Sequence, residues 1–295
     1  QMNKHIFWIA SYPKSGNTLL RAIISSLFFS DDGVFDFSLL SSVGQFDTID
    51  RVIKNKKIFG NDFKNINDLK IFSKYFLKLQ DKNLLNFSED FIFLKTHSSN
   101  LFIENNPFTI MENCRGIIYI IRDPRDVCVS LSRHFNISIE DSINFIKNTH
   151  ASIHWKAKKS QNFKEDEKPS SLVSRWDMHV KSWTKNKWDI PNLVIKYEDL
   201  VYDKFNEIDK ILLFFEKYYN FQFKDKKDKI NNIISSTDFN ELKNKEKNFG
   251  FSESSRYSDF FAVGEKNQWS KKLTKDQILS LENDFDIIMN EYEYV

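Results

Sequence analysis

Ile6-Phe7-Trp8-Ile9-Ala10-Ser11-Tyr12-Pro13-Lys14-Ser15-Gly16-Asn17-Thr18-Leu19 is the stretch whose reading decides the fold. Ile6 to Tyr12 is a short apolar run that stops at Pro13, which predicts a buried strand. Pro13 to Thr18 carries Ser, Gly and Asn and reads as a loop. Leu19 to Phe29 is apolar apart from Arg21 and two serines and is long enough for a helix. A strand, a tight loop and a helix start form a place for an anion. The first amides of a helix lack partners within it, and the helix dipole is positive there. Gly16 lets a ligand approach the backbone. Lys14 adds a point charge, and Ser15, Asn17 and Thr18 add polar side chains. The loop is not the GxxxxGK[ST] phosphate loop, because Lys14 precedes Gly16. On these residues alone, a plain strand-to-helix turn is the other reading.

Working outward, Phe91-Ile92-Phe93-Leu94 predicts a second buried strand, ending at Lys95-Thr96-His97. Gly116 to Ile121 predicts a third, ending at Arg122-Asp123-Pro124, with a helix from Arg125 to about His134. Asn192 to Tyr197 predicts a fourth, ending at Glu198-Asp199. Helices are expected near 67–80, 175–188, 203–217 and 226–235. The last begins at Thr274, with Gln277 three residues on as a capping box. Ile278, Leu281, Phe285 and Ile288 form its apolar stripe. Strands alternating with helices predict an α/β fold with a P-loop-like parallel sheet flanked by helices, in a single domain over residues 2–295. Ligands of such sheets sit beyond the carboxyl ends of the strands, where Lys14, His97, Arg122 and Tyr197 all fall. Residues 158–171 are the expected mobile loop.

The bulk numbers exclude some classes. In 295 residues, 43 Lys and Arg oppose 41 Asp and Glu, a net charge of +2 with both signs interspersed, so no nucleic-acid partner is expected. The 29 Phe read first as a coding bias. Cys114 and Cys128 have neither CxxC nor metal spacing, so two reduced thiols and no metal are expected. Gln1 reads as a remnant before a native Met2. The apolar run after it is too short for a leader or a membrane span, and a cytoplasmic location is expected.

Tyr12-Pro13-Lys14-Ser15-Gly16-Asn17-Thr18 resembles the 5′-phosphosulfate loop, usually YPKSGTTW, of sulfotransferases that use 3′-phosphoadenylyl sulfate (PAPS). Asn17 stands in place of a Thr, and Leu19 in place of the Trp that stacks on adenine. Tyr119 to Ser130 (Tyr-Ile-Ile-Arg-Asp-Pro-Arg-Asp-Val-Cys-Val-Ser) resembles the family's 3′-phosphate motif. The resemblance implies that Arg122 and Ser130 bind that phosphate, whereas Arg125 reads as an ordinary surface arginine. Lys95-Thr96-His97 resembles the family's KTH, which implies that His97 is the catalytic base with Lys14 and Lys95 offsetting charge. Tyr197-Glu198-Asp199 resembles its YED, and Thr237-Asp238-Phe239 its TSF, which implies adenine contacts from Tyr197, Thr237 and Phe239. Trp176, Val180 and Trp183 resemble a W-x-x-HV-x-x-W helix and read as core, with His179 structural. His5, His134, His150 and His154 read as structural too. The final RKG-x-x-GDWK motif keeps Gly264 and Trp269, but Ala262-Val263 replaces its Arg-Lys pair. Lys266 and Arg256 are candidates for the lost charge.

The resemblance therefore implies sulfonyl transfer from PAPS, leaving 3′-phosphoadenosine 5′-phosphate (PAP), to a hydroxyl of a small molecule or carbohydrate. Acceptor specificity is expected in 31–90 and 136–175. Two other classes stay open: a P-loop-type phosphoryl transferase, which would need Mg²⁺, and a nucleotide-binding module without catalysis.

Overall fold

A computed structural model describes residues 4–87, 89–154, 170–249, 251 and 267–295. Its architecture is mixed α/β with a central parallel sheet flanked by helices. Nine strands are described: β1 (Ile6–Ser11), β2 (Val43–Gln45), β3 (Ile92–Thr96), β4 (Phe102–Ile103), β5 (Asn106–Pro107), β6 (Cys114–Ile121), β7 (Ser152–His154), β8 (Ser170–Leu172) and β9 (Asn192–Lys196). The main sheet has the order β2-β3-β1-β6-β9, and β4-β5 and β7-β8 form two-stranded ribbons. β1 runs parallel to β3 with Ile6 opposite Ile92 and Ala10 opposite Thr96. All six residues of β1 are buried, because a strand covered on both faces must be apolar on both.

The chain falls into two compact units made of interleaved segments. One comprises Gln1–Tyr12, Gly44–Tyr119 and Asn148–Asn192; the other comprises Pro13–Val43, Ile120–Lys147 and Leu193–Val295. The core of the first is aromatic. Trp8 lies edge-on to Phe46 and tilted against Phe108 and Trp183. The Trp176–Thr184 helix buries Trp176, His179, Val180 and Trp183 on one face, as their helical spacing dictates. In the second unit Phe28 packs against Phe215, Phe221 and Phe223. Many of the phenylalanines read as coding bias are thus packed in the core.

The expected elements form with shifted ends. β3 runs on through Lys95 and Thr96, and β6 begins two residues early, at Cys114. The first helix is Asn17–Phe29, so Asn17 and Thr18 belong to its first turn. β9 stops at Lys196, and Tyr197 opens a short helix instead of closing the strand. The last helix carries the expected capping box: the Gln277 amide donates to Thr274 Oγ1 at 3.2 Å, and the Thr274 amide to Gln277 Oε1 at 3.0 Å. Of the expected mobile loop, 158–169 lies outside the described residues, while Ser170 and Ser171 are buried in β8. No described helix is long and apolar enough to cross a membrane.

Candidate functional site

The second unit holds the loop after β1. Lys14 and Gly16 both have positive φ, 65° and 95°. That conformation suits glycine at position 16 for a second reason: a Cβ there would collide with the Tyr197 ring. Gly16 is the N-cap of the Asn17–Phe29 helix and offers no capping side chain. The Ser15 hydroxyl is buried with no hydrogen-bond partner among the described residues. A buried donor left unmade costs about 1–3 kcal/mol, a cost that an acceptor oxygen brought to this loop would relieve.

Arg122 follows the last residue of β6 and is only 6% exposed. Its Nη1 donates to the Lys14 carbonyl at 3.1 Å, and its guanidinium carbon sits 4.3 Å from the Tyr197 ring centre. Arg122 Nε is buried without a partner among the described residues. Ser130 is buried on the Pro124–Phe135 helix, whose start is fixed by Asp123 as N-cap and Pro124 in the first turn. Lys14 Nζ lies 3.3 Å from His134 Nδ1 on the last turn of that helix, a contact that the structural reading of His134 did not anticipate. Thr237 is buried, and its hydroxyl donates to the Ile233 carbonyl at 2.6 Å. Phe239, Leu19, Phe37 and Phe251 pack half-buried around one apolar cluster. Leu19 thus packs against the same cluster as Phe37, Phe239 and Phe251. Gly264, Ala262, Val263, Lys266 and Arg256 lie outside the described residues.

Arg125 is not a surface residue. It is 5% exposed, forks onto Asp123 at 2.7 to 3.1 Å, donates to Glu282 and the Tyr294 carbonyl, and lies over the Trp269 ring. The sequence showed a charge beside Asp123 and Asp126. It did not show that the chain's last helix closes over that charge.

The first unit holds the residues after β3. His97 Nδ1 lies 2.9 Å from the Ser11 carbonyl and 3.2 Å from Ser11 Oγ. A carbonyl only accepts, so Nδ1 carries the proton and Nε2 is the basic nitrogen of the neutral ring. The His97 backbone is held on both sides. Its amide donates to Asp47 Oδ2 at 3.2 Å, and its carbonyl accepts from His179 Nε2 at 3.1 Å. Burial pushes His179 down to about 3, so it is neutral, with Nδ1 accepting from the Tyr119 hydroxyl at 2.9 Å.

Asp47 also accepts from Thr96 Oγ1 at 2.7 Å, and burial holds its carboxyl above the usual range. It is 3% exposed, and sequence reasoning did not name it singly. The available signal was an acidic residue set between Phe46 and Ile49 in an apolar pattern. Lys95 is buried, with Nζ donating to Gln45 Oε1 at 3.3 Å.

The chain belongs to the sulfotransferase family: the family model described as Sulfotransferase domain matches residues 4–293, a span that takes in both units. It is similar to an amine sulfotransferase of Oryctolagus cuniculus, 24% identical over 213 residues, 71% of this chain and 56% of that one. It is also similar to sulfotransferase 1B1 of Mus musculus, 28% identical over 151 residues, 51% and 43% of the two chains. The chain thus spans about half the length of these relatives. Among solved structures, mouse sulfotransferase SULT7A1 complexed with PAP shares the fold with a TM-score of 0.58 at 20% identity, covering 97% of this chain and 84% of that one. Retinol dehydratase in complex with androsterone and PAP gives 0.59 at 17%, covering 97% and 81%.

Proposed function

We propose that the protein transfers the sulfonyl group of PAPS to a hydroxyl of a small-molecule or carbohydrate acceptor, with His97 as general base. The observation that supports this reading is the His97–Ser11 contact, in which Nδ1 donates and Nε2 is the nitrogen that would accept a proton. The unmatched Ser15 hydroxyl, Arg122 Nε and the Gly16 approach fit a donor with phosphates at both ends. Lys14, Ser15, Gly16, Asn17 and Thr18 would hold the 5′ side, and Arg122 and Ser130 the 3′-phosphate. Tyr197, Thr237 and Phe239 would hold the base. When bound, PAPS supplies a sulfonyl sulfur already bonded to a good leaving phosphate.

The chain's residues do the rest. His97 Nε2 takes the acceptor proton as the acceptor oxygen bonds to sulfur and the sulfur–phosphate oxygen bond breaks. Lys14 and Lys95 offset the negative charge on the transferred and leaving oxygens, contacts worth about 3 kcal/mol each where they tighten in the transition state. The rabbit relative's name points to amines, and those belong in the acceptor panel.

The test is His97→Asn assayed with labelled donor on hydroxyl and amine acceptors. The expected result is a fall in kcat of about 10²-fold on hydroxyls with PAP binding nearly unchanged. Full activity of the variant on the true acceptor would place the base elsewhere, and Asp47 would be examined next. Loss of wild-type activity in EDTA would favour a Mg²⁺-dependent phosphoryl transferase.

A further inference from the structure

The Pro124–Phe135 helix sets Ser130, Arg133 and His134 on one face, because residues three and four apart are neighbours on a helix. Only Ser130 has a role from the family resemblance. The other two lie at the same place by independent contacts. His134 reaches Lys14 Nζ at 3.3 Å, and the Lys14 carbonyl accepts from Arg122. Arg133 Nη1 reaches Gln268 Oε1 at 3.4 Å, a neutral partner at the end of the final motif.

Burial first, and the Arg122 guanidinium second, hold Arg133 below the ordinary arginine range, with Tyr197 working against them. Arg122 and Arg133 are therefore near enough to repel, beside a buried Arg122 Nε that has no partner among the described residues. Asp126 and Glu198 also face Arg122; Asp126 accepts from the amides of Asn267 at 2.8 Å and Trp269 at 3.0 Å, and Glu198 from the amide of Asp123 and the hydroxyl of Tyr294, each at 3.1 Å. Two partly buried guanidiniums that repel each other are stabilised by an anion between them.

We propose that Arg133 is a cationic contact to the donor's 3′-phosphate, supplying the charge that Ala262-Val263 lacks in the final motif. The proposal rests on the sulfotransferase reading and adds to it a residue outside the family's motifs. It accounts for how the cradle keeps its charge with the Arg-Lys pair gone. It also makes Gln268 the group that holds Arg133 in place at the loop's end.

Titration calorimetry with PAP and AMP, without acceptor, tests it on the wild type, Arg133→Gln, Arg133→Lys and Arg122→Ala. Arg133→Gln should lose about tenfold or more in PAP affinity with AMP affinity unchanged, the usual size of a charged hydrogen bond. Arg133→Lys should recover part of it. Without ligand, Arg133→Gln should melt at or above the wild-type temperature, because a repulsion has been removed, while the rise in melting temperature caused by PAP shrinks. Wild-type PAP affinity in Arg133→Gln, an equal loss for both nucleotides, or a lower melting temperature without ligand would each overturn the proposal. A retained PAP preference in the wild type, lost only in Arg122→Ala, would leave the donor reading standing while the Arg133 role fell. A wild type that binds PAP no better than AMP would overturn both.

Discussion

At the scale of single residues, Lys14 is the position where the proposed binding and the proposed chemistry can be measured apart. Its backbone sits at φ 65° and its carbonyl takes the Arg122 hydrogen bond, so the main chain at this position holds Arg122 whatever the side chain is. The ammonium reaches His134 and is proposed to follow charge that grows on the transferred group. Contacts made mainly in the transition state appear in kcat and not in KM. Lys14→Ala should therefore lower kcat by about 10²-fold while PAP affinity changes far less. Steady-state kinetics and calorimetry on the same variant check this, and an effect confined to KM would remove the catalytic role. The loop of Lys14, Ser15 and Gly16 was legible in the sequence because it is one run of consecutive residues between a strand and a helix, and local spacing carries its geometry. His134 and Arg133 were not, because their partners are 120 and 135 residues away.

At the scale of elements, the Pro124–Phe135 helix is aimed by its first turn. Asp123 caps it and is itself gripped by Arg125, which is shared with Glu282 and the Tyr294 carbonyl of the chain's end. The sequence displayed the capping Asp-Pro pair but hid the depth of Arg125, since charge alone does not report burial. Breaking a buried ion pair from one side leaves the other charge without compensation, at a cost of roughly 3–5 kcal/mol. Arg125→Met should destabilise the protein by about that much in denaturant titrations, and it should weaken PAP binding through displacement of Ser130. A loss below about 1 kcal/mol would mean that the pair contributes no more than an exposed one. β2 escaped the sequence reading for a related reason. Three residues within a polar stretch carry no period, yet they bring Gln45 to Lys95 and lead to Asp47.

At the scale of the whole molecule, stability in acid should follow His179. The residue is fully buried, accepts from Tyr119, donates to the His97 carbonyl, and is pushed down to about 3 by burial. In the unfolded chain an imidazole titrates near 6.5. Above that pH neither state binds the proton, and the contribution of this site is fully present. Between about 6.5 and about 3 the unfolded chain binds a proton that the folded chain refuses, so stability falls as pH falls, by about 1.4 kcal/mol per pH unit. Below about 3 both states are protonated and the slope from this group ends. Gln is uncharged at every pH and still offers one donor and one acceptor. His179→Gln should be less stable than wild type at pH 7, because its geometry is only approximate, yet its slope between pH 6.5 and 4.5 should be flatter by about one proton. Denaturant titrations at half-unit steps of pH measure both. Parallel slopes in the two proteins would show that acid sensitivity arises from other groups, and that the His97 backbone is not held through a neutral His179.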